Sequence, residues 1–201
     1  MSALSCDLGR QAALPTVDGG PPALAHHAGA ADVALPASET RDAEFRAVLA
    51  TLERYRTGLA RFEEEALAEA IITQARRHQV TPSLVLAVMH VESRYNNFAV
   101  SPVGALGLMQ VMPQTGAEVA SWLGIRYVGP QSLFDPETNV AIGVAYLKWL
   151  LDRYHDLPTA LAAYNWGPQR ISSRLRRGVP LPTDYPRLVL DSYAKRTIDR
   201  S

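Results

Sequence analysis

The chain has 201 residues, enough for about one domain with a core of its own at the usual ~100–200 residues per domain. Lysine plus arginine equals aspartate plus glutamate at 20 each, so no net field steers it toward nucleic acid or an acidic membrane surface, and a partner has to be recognised locally. The lone Cys6 excludes an internal disulfide, and no run approaches the ~20 apolar residues of a membrane span.

Residues 1–40 are rich in Ala, Pro and Gly and contain no aromatic residue. Such a segment cannot bury enough apolar surface to offset the entropy of ordering, so a disordered linker is expected there. Its first residues lack a basic stretch followed by an apolar one, and no standard export signal is legible. From Arg41 the character changes. Phe45, Val48, Leu49, Leu52, Leu59 and Phe62 keep close to a 3.6-residue period behind an acidic first turn, which predicts an accessory helical segment over 41–65. The spacing leaves open whether Gly58 divides it into two helices. Glu63 to Glu65 read as a solvated face, and Leu67, Ala70, Ile71 and Ala75 carry a helical stripe on to His78.

Thr81 and Pro82 form a helix start signal, a capping hydroxyl followed by a residue whose missing N–H costs nothing in the first turn. On the helix that follows, Val85, Val88 and Met89 precede Glu92 by seven, four and three positions, so its carboxyl shares a face with apolar side chains. The pattern breaks at Asn96 and Asn97, and the Gly/Pro/Ser-rich segment from Ser101 to Gly107 reads as a tight loop folding back over the helix end.

Pro113 to Leu123 reads as a further helix and Gly124 to Ser132 as a loop. Asp135 and Pro136 then start a long core helix with Val140, Gly143, Val144, Leu147, Leu150, Leu151 and Tyr154 on one broad stripe. After it, Ala162, Ala163, Tyr164 and Asn165 precede a Gly167-Pro168 break, placing a hydroxyl and an amide together at a helix end. Arg170, Arg174, Arg176 and Arg177 read as a solvated face. No strand pattern of convincing length occurs, and the fold class read from the whole chain is all-α. The five histidines show no metal-ligand spacing and no glycine-rich loop has a nucleotide-binding context, so neither metal nor cofactor is expected.

Glu92-Ser93-Arg94-Tyr95, Ser101-Pro102 with Gly104-Ala105, Gly107-Leu108-Met109-Gln110 and Pro113 resemble, in order and spacing, the lytic transglycosylases of the soluble SLT type. Each piece alone is a weak signal; the ordered run is a strong one. The resemblance runs from about Leu67 to Tyr193, including the Ala-Tyr-Asn motif and two tyrosines eight apart, Tyr185 and Tyr193. Related proteins usually carry Glu-Thr where this chain has Leu181-Pro182.

The resemblance implies a lysozyme-like helical domain over 66–196, with its cleft between the Glu92 helix and the Ala-Tyr-Asn region. It also implies Glu92 as the catalytic acid, and Ser101, Met109, Gln110, Tyr146, Tyr164, Asn165 and Tyr185 as substrate-binding residues. The implied substrate is the glycan strand of peptidoglycan, the implied place the periplasm or cell envelope with its machinery. Nucleic acid is not an expected partner, and no integral membrane segment is expected. Between Glu92 and Glu118 the chain has no Asp or Glu, whereas glycoside hydrolases normally use two carboxyl groups. A single acid suits a reaction needing neither enzyme nucleophile nor activated water: attack of the muramoyl 6-hydroxyl on its own anomeric centre, giving a 1,6-anhydro end. Two other readings stay open at this point, a goose-type lysozyme-like muramidase and a non-catalytic peptidoglycan-binding or assembly protein.

Overall fold

The structure, a computed structural model, describes residues 37–198. The linker expected over 1–40 lies outside the described residues, apart from 37–40, which already belong to a helix. Among the described residues are eight α-helices and one short 3₁₀ turn, with isolated bridges at Val100–Leu106 and Leu106–Val111 and no extended strand. The all-α class read from periodicity is the observed one. None of these helices is long and apolar enough to cross a membrane.

The first two helices, α1 (Ala37–Glu53) and α2 (Arg61–Arg77), are separate. Gly58 lies between them with φ +80°, a left-handed conformation that glycine adopts without steric penalty. The question left open at Gly58 is thereby answered, and the stripe from Phe45 to Phe62 is divided between two helices. Val48 and Leu52 are buried on α1, but Phe62 falls in the register of the new helix and is 72% exposed.

Thr81 caps α3 (Pro82–Ser93) as expected, its hydroxyl accepting from the Leu84 N–H at 3.2 Å. Every position from Pro82 to Met89 is buried, which only a helix covered on several sides permits. Next come α4 (Pro113–Leu123) and a 3₁₀ turn over Pro130–Phe134, which occupies the end of the segment expected as loop and seats Leu133 in the core. Helix α5 (Pro136–Tyr154) starts at Asp135, whose carboxylate accepts from the Thr138 N–H at 2.8 Å. It is the central helix, with α2, α4 and α6 (Leu157–Trp166) packed against it. The chain breaks at Gly167 into α7 (Pro168–Arg176) and returns as α8 (Asp184–Ile198), which lies along α3. Helix α3 is thus buried at its start, and its last turn opens on a cleft.

Candidate active site

Glu92 occupies that last turn. Val85, Val88 and Met89, the apolar residues expected on its face, are fully buried beneath it. Glu92 itself is partly exposed and lines a cleft of about 1270 Å³. That exceeds the ~300–1,000 Å³ usual for one small ligand and suits a segment of an extended polymer. Burial of the carboxyl, which disfavours its charged form, pushes its pKa from the ordinary 4.5 up to about 8. A hydrogen bond from the Tyr185 hydroxyl to Oε1, at 2.6 Å, works in the opposite direction. Neither influence comes from a charged group. Burial thus favours the protonated carboxyl at neutral pH.

The chain after Glu92 is turned sharply by two consecutive residues in the left-handed region, Arg94 (φ 52°) and Tyr95 (φ 65°). Tyr95 is buried and donates its hydroxyl to the Leu86 carbonyl at 3.0 Å, fastening the turn back onto α3. The Ser93 hydroxyl faces the Leu108 carbonyl at 2.8 Å and the Met89 carbonyl at 3.2 Å, joining the helix end to the Gly107–Gln110 segment. That segment is held from beneath by α5. Asn139, fully buried, donates to the Leu106 and Leu133 carbonyls at 3.0 and 2.8 Å and accepts from the Met109 N–H at 2.8 Å. Gly107 (φ 76°) makes this approach feasible, since a Cβ there would stand 2.3 Å from Asn139 Nδ2 and 2.4 Å from the Leu133 carbonyl.

Ser101 and Gln110 line the cleft together with Glu92. Ser101 closes its loop on itself: its N–H donates to the Ala105 carbonyl, and its Oγ accepts from the Ala105 N–H, both at 2.9 Å. The Gln110 Nε2 donates to the Ala99 and Gly107 carbonyls at 3.1 and 2.9 Å. Two carbonyl acceptors fix which end of the amide is nitrogen and engage both its N–H groups, so its oxygen is what remains for a substrate N–H or O–H. Tyr185 does not line the cleft by itself but reaches Glu92 through its hydroxyl.

Three of the residues expected to contact substrate, Met109, Tyr164 and Tyr146, are buried and do not line the cleft over Glu92. Met109 is buried, its sulfur where a Cβ on Gly143 of α5 would be only 2.5 Å away. Tyr164 is also buried, and its hydroxyl donates to the Met109 carbonyl at 2.9 Å instead of facing a sugar. Burial raises its pKa well above the ordinary value, and the nearby Glu92 adds to the rise. Tyr146 stacks on Trp149 (6.0 Å, 14°) and leans on Tyr164 (5.4 Å), a core tyrosine whose hydroxyl burial likewise pushes up. Asn165, 8% exposed, sits in the last turn of α6 and does not line the cleft over Glu92. The walls of that cleft are α1 and α8, not the Ala-Tyr-Asn helix, which supports its floor.

Sequence reasoning missed the tie made by Ser93 and the wall supplied by α1. Glu44, Ala47, Val48, Thr51, Arg54 and Tyr55 line the cleft at helical spacing, and that spacing was the available signal.

Residues 69–179 match the model of the transglycosylase SLT domain. The soluble lytic murein transglycosylase of Salmonella typhimurium is 39% identical over 102 residues, covering 50% of this chain and 16% of that protein. Among solved structures, an inactive glutamate-to-glutamine variant of the lytic transglycosylase Slt from Pseudomonas aeruginosa superposes with a TM-score of 0.58. Its identity is 28%, over 66% of this chain and 24% of that one. The 70 kDa soluble lytic transglycosylase of Escherichia coli superposes with a TM-score of 0.60 at 23% identity, over 80% of this chain and 30% of that one, a likeness of fold. The chain therefore spans a minor part of the length of these relatives. The fold is the lysozyme-like helical one, and with more than half of its residues inside the match, the chain belongs to the transglycosylase SLT domain family.

Proposed function

We propose that this chain is a lytic transglycosylase of peptidoglycan, working in the periplasm or cell envelope, that cleaves the β-1,4 bond between MurNAc and GlcNAc and leaves a 1,6-anhydro-MurNAc end. The observation that carries the proposal is the state of Glu92: a carboxyl on the wall of a large cleft, protonated at neutral pH by burial and touched by a tyrosine. The other carboxylates lining the cleft stand on its side helices, Glu44 paired with Arg76 and Asp191 exposed on α8.

In this reading Glu92 first donates its proton to the glycosidic oxygen as the C1–O bond breaks. The N-acetyl carbonyl oxygen of the muramoyl residue attacks C1 from the opposite face, so the sugar supplies its own nucleophile. Glu92, now a carboxylate, takes the proton from the C6 hydroxyl as that oxygen attacks C1 and displaces the acetamido group. A pKa near working pH suits a group that is acid in one step and base in the next. Ser101 and Gln110 position the acetamido sugar from the loop side, and Tyr185 orients the carboxyl. Met109, Tyr164 and Tyr146 hold the loop, while Asn165 ends the helix beside them. Similarity to proteins named lytic murein transglycosylases supports the substrate and reaction class.

The test is the product. Sacculi digested with the purified protein should release anhydromuropeptides, each about one water lighter than the corresponding hydrolysis product, because no water is consumed. Reducing muropeptides as the main product would assign the chain to the muramidases instead. Binding without any release would leave a wall-binding protein.

A further inference from the structure

The cleft has a second chemical feature besides its acid. Helix α1 presents Glu44, Ala47, Val48 and Thr51 to it, the turn after α1 adds Arg54 and Tyr55, and α8 presents Leu188, Asp191, Ser192, Lys195 and Arg196. Two helical stripes thus face each other across α3, and both lie outside the residues matched to the family. Their ends, together with the turn after α3, bring Arg54, Arg94, Lys195 and Arg196 to the cleft lining.

Isolated surface arginines are ordinarily solvated and mean little. This group differs in its surroundings. Among the described residues, none of the four has a carboxylate within ion-pair distance. Of the acids on the cleft, Glu44 is engaged by Arg76 at 2.8 Å, and Glu92 is held protonated, leaving Asp191 as the free negative charge. Arg196 lies over the Tyr95 ring at 5.6 Å with its Nε–H buried and lacking an acceptor among the described residues. Tyr55 packs on His90 (5.5 Å) and Tyr95 (4.6 Å), so the ring beneath Arg196 belongs to an aromatic cluster. His90 registers three of the four cations: burial lowers its pKa first, followed by Arg196, Arg94 and Lys195. It stands two residues before Glu92 on the same helix, and both line the cleft that holds the four cations. A strand held at Glu92 therefore lies in the same cleft as the cations.

We infer that Arg54 at the end of α1 and Lys195 and Arg196 of α8, with Arg94, form a subsite for the carboxylates of the peptide attached to the muramoyl residue, so that the enzyme selects strands with charged stems. The inference rests on the proposed action on peptidoglycan and deepens it. The stem leaves the sugar through its lactyl ether, carries free carboxylates, and is the charged part of an otherwise largely neutral polymer. Arginine is suited to this task because its planar fork pairs with a carboxylate through two parallel hydrogen bonds.

The test uses the full chain carrying Glu92→Gln, to prevent turnover, and short uncross-linked glycan chains in two forms: with native stems, and with the stem carboxylates converted to neutral amides. Titration calorimetry should show the native chains binding about tenfold or more tightly than the amidated ones. Adding Arg54→Gln and Lys195→Gln, both at exposed positions, should shrink that preference to about twofold or less, whereas Arg54→Lys should retain part of it. If the double variant does not fold, each single change should still reduce the ratio. Equal affinity for the two forms, or a preference that survives loss of both cations, overturns the subsite. A general loss of binding that leaves the ratio intact also overturns it, since that is damage to the cleft. Product release by the protein with Glu92 intact is measured separately. Its absence on both forms would refute the transglycosylase reading, while the charge preference would remain legible in the binding ratio.

Discussion

Glu92 holds its proton between two opposing influences, burial and the Tyr185 hydroxyl, and each can be altered separately. Glu92→Gln preserves shape and polymer binding but has no proton to give, so turnover should fall by the ~10²–10⁴ attributed to general acid–base catalysis, or more. The same variant tests the buried proton through stability. With a folded pKa of about 8 against an ordinary 4.5, the folded state binds more protons than the unfolded state between those values. Wild-type stability should therefore decline as pH rises through that window, by ~1.4 kcal/mol per unit. Glutamine cannot titrate, so the stability of Glu92→Gln relative to wild type should improve by a few kcal/mol between pH 4.5 and 8 and then level off. Denaturant melts at three pH values decide it, and a difference independent of pH would contradict the raised pKa. Tyr185→Phe removes the influence that lowers the pKa, so the alkaline limb of the rate profile should move to higher pH. An unmoved limb would take Tyr185 off the carboxyl. The apolar setting of Glu92 was legible because Val85, Val88 and Met89 follow from helical spacing alone. The tyrosine that touches it is 93 residues away in sequence, and periodicity does not say which helix ends meet.

The Gly107–Gln110 segment behaves as one element clamped from two helices, by Asn139 of α5 and Tyr164 of α6. Its motif could be read directly, and so could the positions of the Ala-Tyr-Asn residues at a helix end. Whether Tyr164 faces a sugar or a backbone carbonyl depends on how deeply α6 is packed, which three small alanines and a tyrosine leave undetermined. Met109 posed the same ambiguity, because a methionine suits a cleft or a core equally well. The two roles predict different kinetics. Tyr164→Phe leaves the buried Met109 carbonyl without this donor and should cost about 1–3 kcal/mol of stability. Turnover should then fall through loosening of the loop, with substrate affinity little changed. Unchanged stability with weakened binding would return Tyr164 to the substrate. Gly107→Ala is the harsher change, since the new Cβ meets the Leu133 carbonyl and Asn139 at distances that force movement. A left-handed backbone adds to the strain, and a loss of about 2–4 kcal/mol in urea unfolding is expected.

At the scale of the whole molecule, the accessory helix expected over 41–65 proves to be two different things. Its second part is the start of α2, which continues into the core, while α1 is a separate piece laid over the cleft. The charged ties between α1 and the body, among the described residues, are Arg41–Glu69, Arg76–Glu44 and Arg61–Glu53, in each of which at least one side chain is well exposed to solvent. Pairs of this kind contribute about 0–1 kcal/mol. The apolar ties are Val48 at 3% and Leu52 at 0% exposure, and a fully buried leucine truncated to alanine typically costs ~2–5 kcal/mol. Burial, not charge, should therefore decide whether the wall stays in place. Leu52→Ala should lower overall stability by that amount, or release α1 alone if the helix opens as a local unit. Hydrogen exchange separates the two outcomes: local release would speed exchange over 41–53 and leave α5 protected. Either way the effect should exceed that of Glu44→Gln, which also removes a negative charge from the cleft and should leave stability within about 1 kcal/mol of wild type. A larger loss for Glu44→Gln than for Leu52→Ala would mean that α1 is held chiefly by its ion pairs and would loosen as salt is raised.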